Sequence, residues 1–126
     1  MPNPQDLATQ DLASRYIALW NETDPDRRRA RLAESWTEDA TYADPLAQRA
    51  GHAEIDTLIM AVQQRFSGLR FALDGGADGH GDHLRFSWTL GPEDGEAVVK
   101  GTDFARIEGG RFKAVTGFLD HVPDIA

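Results

Sequence analysis

The chain has no cysteine and far fewer basic than acidic residues. Without cysteine it cannot use disulfides, a thiolate nucleophile or cysteine-ligated zinc. The 13 lysines and arginines against 21 aspartates and glutamates leave a formal net charge of -8. Nucleic acid and anionic membrane surfaces both need basic residues to neutralise phosphate, so the charge disfavours both partners. The run Arg27–Arg29 lies beside acidic residues and is interpreted as the solvated face of a helix.

Long apolar runs and leader-like segments are also missing. No stretch approaches the roughly 20 apolar residues of a membrane-spanning helix, and "MPNPQDLATQ" has neither the basic nor the apolar region of a secretory signal. We therefore expect a soluble, cytoplasmic protein. The length fits a single domain over residues 1–126. No HExxH, P-loop, dinucleotide or Gly-x-Ser-x-Gly motif occurs, so neither a metal nor a cofactor is expected.

The first half of the chain has helical periodicity. Apolar residues recur at helical spacing over residues 5–21, and a second helix is predicted from the Asp24–Pro25 cap to residues 37–39. The clearest stripe follows over residues 55–66 and ends at Ser67–Gly68. The predicted inner faces of the three helices are Leu12, Tyr16, Leu19 and Trp20; Leu32, Ala33 and Trp36; and Ile55, Leu58, Ile59, Val62 and Phe66.

The second half changes to a period of two. Residues 69–74 and 84–90 alternate apolar and polar positions, which predicts half-buried strands. The turn-forming segments "DGHGDH", "GPEDGE" and Gly109–Gly110 separate four consecutive strands, which are expected to form an antiparallel meander. Helices grouped before strands indicate an α+β domain, in which a curled sheet packs around the helices and leaves a pocket between the two layers.

Asp103 is unexpected at its position in a predicted strand. Alternate residues from Val99 to Ile107 would share its face, and these are apolar or small. A carboxylic acid buried there would have a raised pKa and, when protonated, could donate a hydrogen bond to an oxyanion. The strand is apolar on both faces, so the alternative stays open that Val98, Thr102 and Phe104 point inwards and Asp103 is solvated.

Tyr16 and Asp44 each allow two interpretations. Tyr16 lies on the apolar face of the first helix, where its hydroxyl needs a partner; a nearby backbone group is the simpler choice. Asp44 precedes Pro45 in "TYADPLAQRAG", and an aspartate before proline is typical of a solvated turn. The alternative for Asp44 is a carboxylate held at the mouth of a pocket to move a proton.

Several segments together resemble the NTF2-like superfamily, in particular its SnoaL-like and ketosteroid-isomerase-like members. The segments are "SRYIALWNETD", "WTEDATYADP", "GHAEI", "GTDFARIEGGRF" and "VTGF", and the resemblance spans nearly the whole chain. It implies a cone-shaped α+β barrel, with three N-terminal helices packed in a curved, mixed and mainly antiparallel sheet. It also implies a deep pocket and assembly as a homodimer.

The same resemblance implies a catalytic set of Tyr16, Asp44 and Asp103. In the isomerase pattern the aspartate before proline is the base that moves a proton beside a carbonyl, while the tyrosine and the protonated strand aspartate form the oxyanion hole. The expected substrate is a small hydrophobic ketone that is isomerised or cyclised. The alternative is a non-catalytic module that binds a small ligand or a partner chain. We expect the pocket lining to include Trp20, Tyr42, Trp88 and Phe118.

Some residues depart from the related enzymes. Arg85, Trp88 and Lys100 on predicted strands would make the pocket wall less uniformly apolar than a steroid site, which disfavours a steroid substrate. Gly101 stands where limonene-epoxide-hydrolase-like members have an arginine, which disfavours epoxide hydrolysis. Exposed apolar residues, of which Trp88 is the example, favour self-association.

Overall fold

The computed structural model describes residues 4–123, which form three helices and seven strands. The helices are α1 (Pro4–Asn21), α2 (Pro25–Ser35) and α3 (His52–Arg65). The strands are β1 (Trp36–Ala43), β2 (Gln48–Ala50), β3 (Arg70–Leu73), β4 (Asp78–His80), β5 (His83–Gly91), β6 (Val99–Glu108) and β7 (Arg111–His121). Within residues 4–123, no helix is long and apolar enough to cross a membrane.

The strands form one curved, open, mixed sheet that packs around the helices. Its order is β2-β1-β7-β6-β5-β3, with β4 paired to β5. The pairs β3–β5, β5–β6 and β6–β7 are antiparallel, so the predicted meander is confirmed. β1 pairs with β7 in parallel, which makes the sheet mixed. The predicted α+β fold, with three helices in a curved sheet, is confirmed. The turn predicted at "DGHGDH" also contains the short strand β4.

The predicted end of the second helix is wrong. Helix α2 begins as expected, with Asp24 as its N-cap and Pro25 in its first turn, but it ends at Ser35. Trp36 starts β1 and Ala33 is exposed, so neither belongs to an inner helical face. The segment from Trp36 to Tyr42 is rich in aromatic and β-branched residues, and its pairing with β7 outweighs the helical spacing.

The strand bearing Asp103 faces the core as the period-two pattern predicts. Val99, Gly101, Asp103 and Ala105 are buried on the inner face, while Phe104 is 45% exposed on the outer one. The alternative with Phe104 inside is therefore wrong. A carboxylate is placed in an otherwise apolar row, and such a group needs hydrogen-bonding partners.

The basic run Arg27–Arg29 is not solvated at every position, although its composition suggests that it would be. Arg27 and Arg29 are exposed, but Arg28 is buried. Arg28 Nε donates to Asp56 Oδ1 of α3 at 2.5 Å, and its Nη1 donates to the backbone carbonyl of Glu22 at 3.2 Å. The interpretation of this run as a wholly solvated face is wrong for its middle residue, because the ion pair joins α2 to α3.

Candidate functional site

A cavity of about 300 Å³ lies between the helices and the inner face of the sheet. Its wall is mainly apolar and aromatic, with Trp20 from α1, Val62 from α3, and Phe71, Leu90 and Val99 from the strands. Tyr16, Asp44 and Asp103 all line this same cavity. The structure therefore brings together the three residues that the sequence singled out.

Asp103 is the acceptor of two side-chain hydrogen bonds in the cavity wall. The Tyr16 hydroxyl donates to Asp103 Oδ2, and Trp88 Nε1 donates to Oδ1 at 3.0 Å. All three side chains are buried. The simpler interpretation of Tyr16, a core tyrosine bonded to a backbone group, is wrong because its partner is this carboxylate.

Two glycines make room for this arrangement. Gly101 faces Trp88 across the β5–β6 ladder, and a Cβ at Gly101 would lie 2.3 Å from Trp88 Cζ2. Gly117 faces Asp103 across the β6–β7 ladder, and a Cβ there would lie 2.8 Å from Asp103 Oδ1. The space above each glycine is occupied by its neighbour's side chain, so Gly101 is required by the indole that reaches Asp103.

The protonation of Asp103 changes close to neutral pH. Burial raises the pKa of Asp103 to about 6, against the hydrogen bonds from Trp88 and Tyr16, which lower it. The nearby charges of Asp44 and Asp120 also raise the pKa, and the value of about 6 includes their effect. Burial also raises the pKa of Tyr16 and that of Tyr42. Both tyrosines therefore stay protonated near neutral pH and act as hydrogen-bond donors.

Asp44 is at once a turn former and a cavity residue. Its Oδ1 accepts from the backbone N–H groups of Leu46 and Ala47 at 2.7 and 2.8 Å, as in an Asx turn. Its Oδ2 accepts from the Tyr42 hydroxyl at 2.6 Å. The carboxylate is half-buried and lines the cavity. Three donors fix its orientation, and the interpretation of Asp44 as a fully solvated turn residue is wrong because the carboxylate is half-buried in the cavity wall.

Asp44 and Asp103 lie at the same end of the cavity. A Cβ placed on Gly117 would lie 3.5 Å from Asp103 Cγ and 3.5 Å from Asp44 Cβ, so the two atoms cannot be more than twice that distance apart. The two carboxylates are therefore close enough to affect each other's charge. Among the described residues no group of three His, Asp or Glu side chains is placed to hold a metal ion.

The predicted pocket residues differ in how they reach the cavity. Trp20, Tyr42 and Trp88 are buried and line it. Phe118 lines its rim, but the ring is 52% exposed and packs edge-on against Phe104, 5.8 Å away between centroids, on the outer face. The interpretation of Trp88 as an exposed contact for self-association is wrong, because its indole is buried against Gly101 and Asp103.

The expectation of a partly charged strand wall is also wrong. Arg85 and Lys100 are exposed on the outer face and do not contact the cavity, so they do not count against a steroid-sized apolar ligand. Sequence reasoning missed Phe71 and Leu90 as lining residues, although the alternation of their strands would have placed them inside. It also missed Gly117, whose role depends on the cross-strand neighbour Asp103.

Comparison with known proteins agrees with this architecture. A crystal structure of a proposed isomerase of the SnoaL-like family from Agrobacterium tumefaciens is 43% identical, with a TM-score of 0.86, covering 90% of this chain and 98% of that one. A proposed SnoaL-like polyketide cyclase from Jannaschia is 16% identical, with a TM-score of 0.76, covering 95% and 90%. A proposed ketosteroid isomerase from Kribbella flavida is 20% identical, with a TM-score of 0.69, covering 97% and 84%.

The last two similarities concern the fold alone. A search of the curated proteins gave no match. The profile of the SnoaL-like domain matches residues 13–115, which is most of the chain and includes Tyr16, Asp44 and Asp103. The chain therefore belongs to the SnoaL-like domain family, within the NTF2-like fold.

Proposed function

We propose that the protein abstracts a proton next to the carbonyl of a small hydrophobic ketone, in an isomerisation or an aldol cyclisation. The observation that supports this most is the meeting of Asp44 with the Tyr16–Asp103 pair at one end of an apolar cavity. Asp44 is the base that takes the proton. Tyr16 and protonated Asp103 are the donors to the oxygen on which negative charge develops.

The hydrogen bonds around Asp103 support its role as a donor. Trp88 already donates to Oδ1, so a proton on Asp103 belongs on Oδ2, beside the Tyr16 hydroxyl. Two O–H groups are then adjacent, and both can donate to one substrate oxygen once the Tyr16 hydroxyl turns from Oδ2 to the substrate. In a cavity with mainly apolar walls these bonds stabilise developing charge more than they would in water. The A. tumefaciens relative, a proposed isomerase, supports the same class of reaction.

Replacing Tyr16 with phenylalanine tests this proposal. The ring and its packing remain, but one oxyanion donor is lost, so we expect the rate of proton abstraction to fall about 10- to 100-fold. The measurement is deuterium uptake from D₂O at the carbon beside the carbonyl, followed by NMR over a panel of β,γ-unsaturated ketones and β-diketones. Asp78→Asn, on the exposed strand β4, is the matched control and should exchange at the wild-type rate. Equal rates for Tyr16→Phe and wild type would contradict the proposal.

We also propose that the chain forms a homodimer through the outer face of the sheet. Phe104 and Phe118 are about half exposed there and pack against each other, forming a small apolar patch. The double variant Phe104→Ser/Phe118→Ser should sediment at the monomer mass of 13.9 kDa, and wild type at twice that mass. Leu46→Ser, which alters an exposed side chain at the cavity rim, should remain dimeric. A monomeric wild-type protein at high concentration would contradict this interface.

A further inference from the structure

The aromatic side chains around the cavity form a continuous arc. Ring centroids are 5.5 Å apart for Tyr42 and Trp20, 5.6 Å for Trp20 and Phe71, and 5.4 Å for Phe71 and Trp88. Tyr16 adjoins the arc, with its ring 6.1 Å from Trp20, and all five residues line the cavity. Aromatic faces carry partial negative charge and attract cations, with tryptophan the strongest.

The ionisable groups of the cavity add to that negative potential. Asp44 and Asp103 lie together at one end, and their mutual repulsion is part of the environment of Asp103. Among the described lining residues, the only basic side chain is Arg65, which is exposed. Its guanidinium lies over the Phe66 ring, 5.7 Å from the centroid. No buried lining residue therefore balances the two carboxylates with a positive charge.

The hydrogen bonds already made by the carboxylates limit the type of cation. A carboxylate offers about four acceptor positions, and three hydrogen bonds already occupy Asp44 while two occupy Asp103. One position is left on Asp44 and two on Asp103, so a primary ammonium, with three N–H donors, would have to use all of them at once. A tertiary or quaternary ammonium brings one or none, and its methyl groups suit aromatic walls.

We propose that this cavity binds a small tertiary or quaternary ammonium ion, with its charge between the aromatic arc and the two carboxylates. The inference rests on the rings and charges of the cavity and does not depend on the proposed carbonyl chemistry. A cavity of about 300 Å³ has room for a trimethylammonium group with a short substituent.

The proposal predicts how affinity changes with pH. Asp103 faces Tyr16 from α1, Tyr42 and Asp44 from β1 and the turn after it, and Trp88 from β5, and it senses the charge of Asp120 on β7. A bound cation favours ionised Asp103, so affinity should rise as the pH passes upward through about 6. A neutral ketone needs protonated Asp103 as a donor, so its affinity should fall over the same interval.

Calorimetric titration of the full chain with choline and with its uncharged carbon isostere, 3,3-dimethylbutan-1-ol, tests the proposal. Choline has no group that titrates between pH 5 and 7. We expect it to bind about tenfold more tightly than the alcohol at pH 7, and to gain about tenfold in affinity from pH 5 to pH 7. Equal affinities for the two probes, or weaker choline binding at higher pH, would overturn the proposal.

Variants distinguish choline binding in this cavity from nonspecific attraction of the cation to an acidic protein. Asp103→Asn should remove the pH dependence of choline binding, whereas Asp78→Asn, at an exposed carboxylate, should retain it. Trp20→Leu removes one ring of the arc and should weaken choline about tenfold, but the alcohol by less. The melting temperature of each variant shows whether it is folded. Choline binding without deuterium exchange into the ketones would support this inference and contradict the proposed reaction. Deuterium exchange without choline binding would support the reaction and contradict this inference.

Discussion

Replacing Arg28 with alanine is expected to lower the free energy of unfolding by about 3 to 5 kcal/mol. The Arg28 side chain is only 2% exposed, and its partner Asp56 is 15% exposed. The substitution leaves the Asp56 carboxylate without its cation and removes a donor from the Glu22 carbonyl. Urea denaturation at pH 7, followed by far-UV circular dichroism, measures the loss.

The next residue in the same basic run supplies the control. The Arg29 side chain is 58% exposed and pairs with Asp26, whose side chain is 89% exposed, so Arg29→Ala should cost no more than about 0.5 kcal/mol. Replacing both partners, as Arg28→Met/Asp56→Leu, should recover most of the stability, because the carboxylate is no longer left unpaired. Similar losses of unfolding free energy for Arg28→Ala and Arg29→Ala would show that the Arg28–Asp56 pair stabilises the fold no more than an exposed ion pair.

Asp44→Asn is expected to reduce proton abstraction by about 10²- to 10⁴-fold, because asparagine cannot accept the proton. Asp103→Asn should retain much of the activity, since its amide N–H can replace the donor of the protonated acid. Asp103→Leu, which has no donor, should lose about 10²-fold or more. The deuterium exchange assay compares the three variants directly. Denaturation curves for each show whether the fold is intact.

The pH profile of kcat/KM distinguishes the roles of the two acids. Asp103 acts as a donor only when protonated, so its contribution is present below a pH of about 6 and is lost as the pH rises through that value. Asp103→Asn should remove this alkaline decline. A profile that instead rises through pH 6, with Asp103→Asn inactive, would identify Asp103 as the base and contradict the roles proposed for the pair.

The sequence predicted those features that depend on residues close together in the chain. The period-two pattern identified Asp103 as a carboxylate on an inner face, and the meander of β3, β5, β6 and β7 followed from turns and alternation. The Tyr16–Asp103 contact joins residues 87 positions apart, and only the resemblance to isomerases suggested it. Periodicity describes which face a residue occupies, but not which residue it meets there.

The errors have the same physical origin. Arg28 was expected to be exposed because its chain neighbours are charged, yet its partner Asp56 lies 28 residues away. Trp36 fits a helical stripe, but it lies in a strand because it pairs with Phe112 of β7, 76 residues later in the chain. The indole of Trp88 is buried because Gly101, on the adjacent strand, leaves space for it. In each case a distant partner decides the environment.

The position of β7 between β1 and β6 has a consequence for how the chain acquires its site. Asp44 follows β1 and Asp103 lies on β6, and β7 pairs with both strands, so the two acids approach each other across Gly117 of β7. β7 leaves the ribosome after both β1 and β6. Until it inserts, the first acid has no fixed relation to the second. Pairing across more than 70 residues closes a large loop, and such closure is slow. The two acids are therefore brought together only once β7 has paired with both β1 and β6.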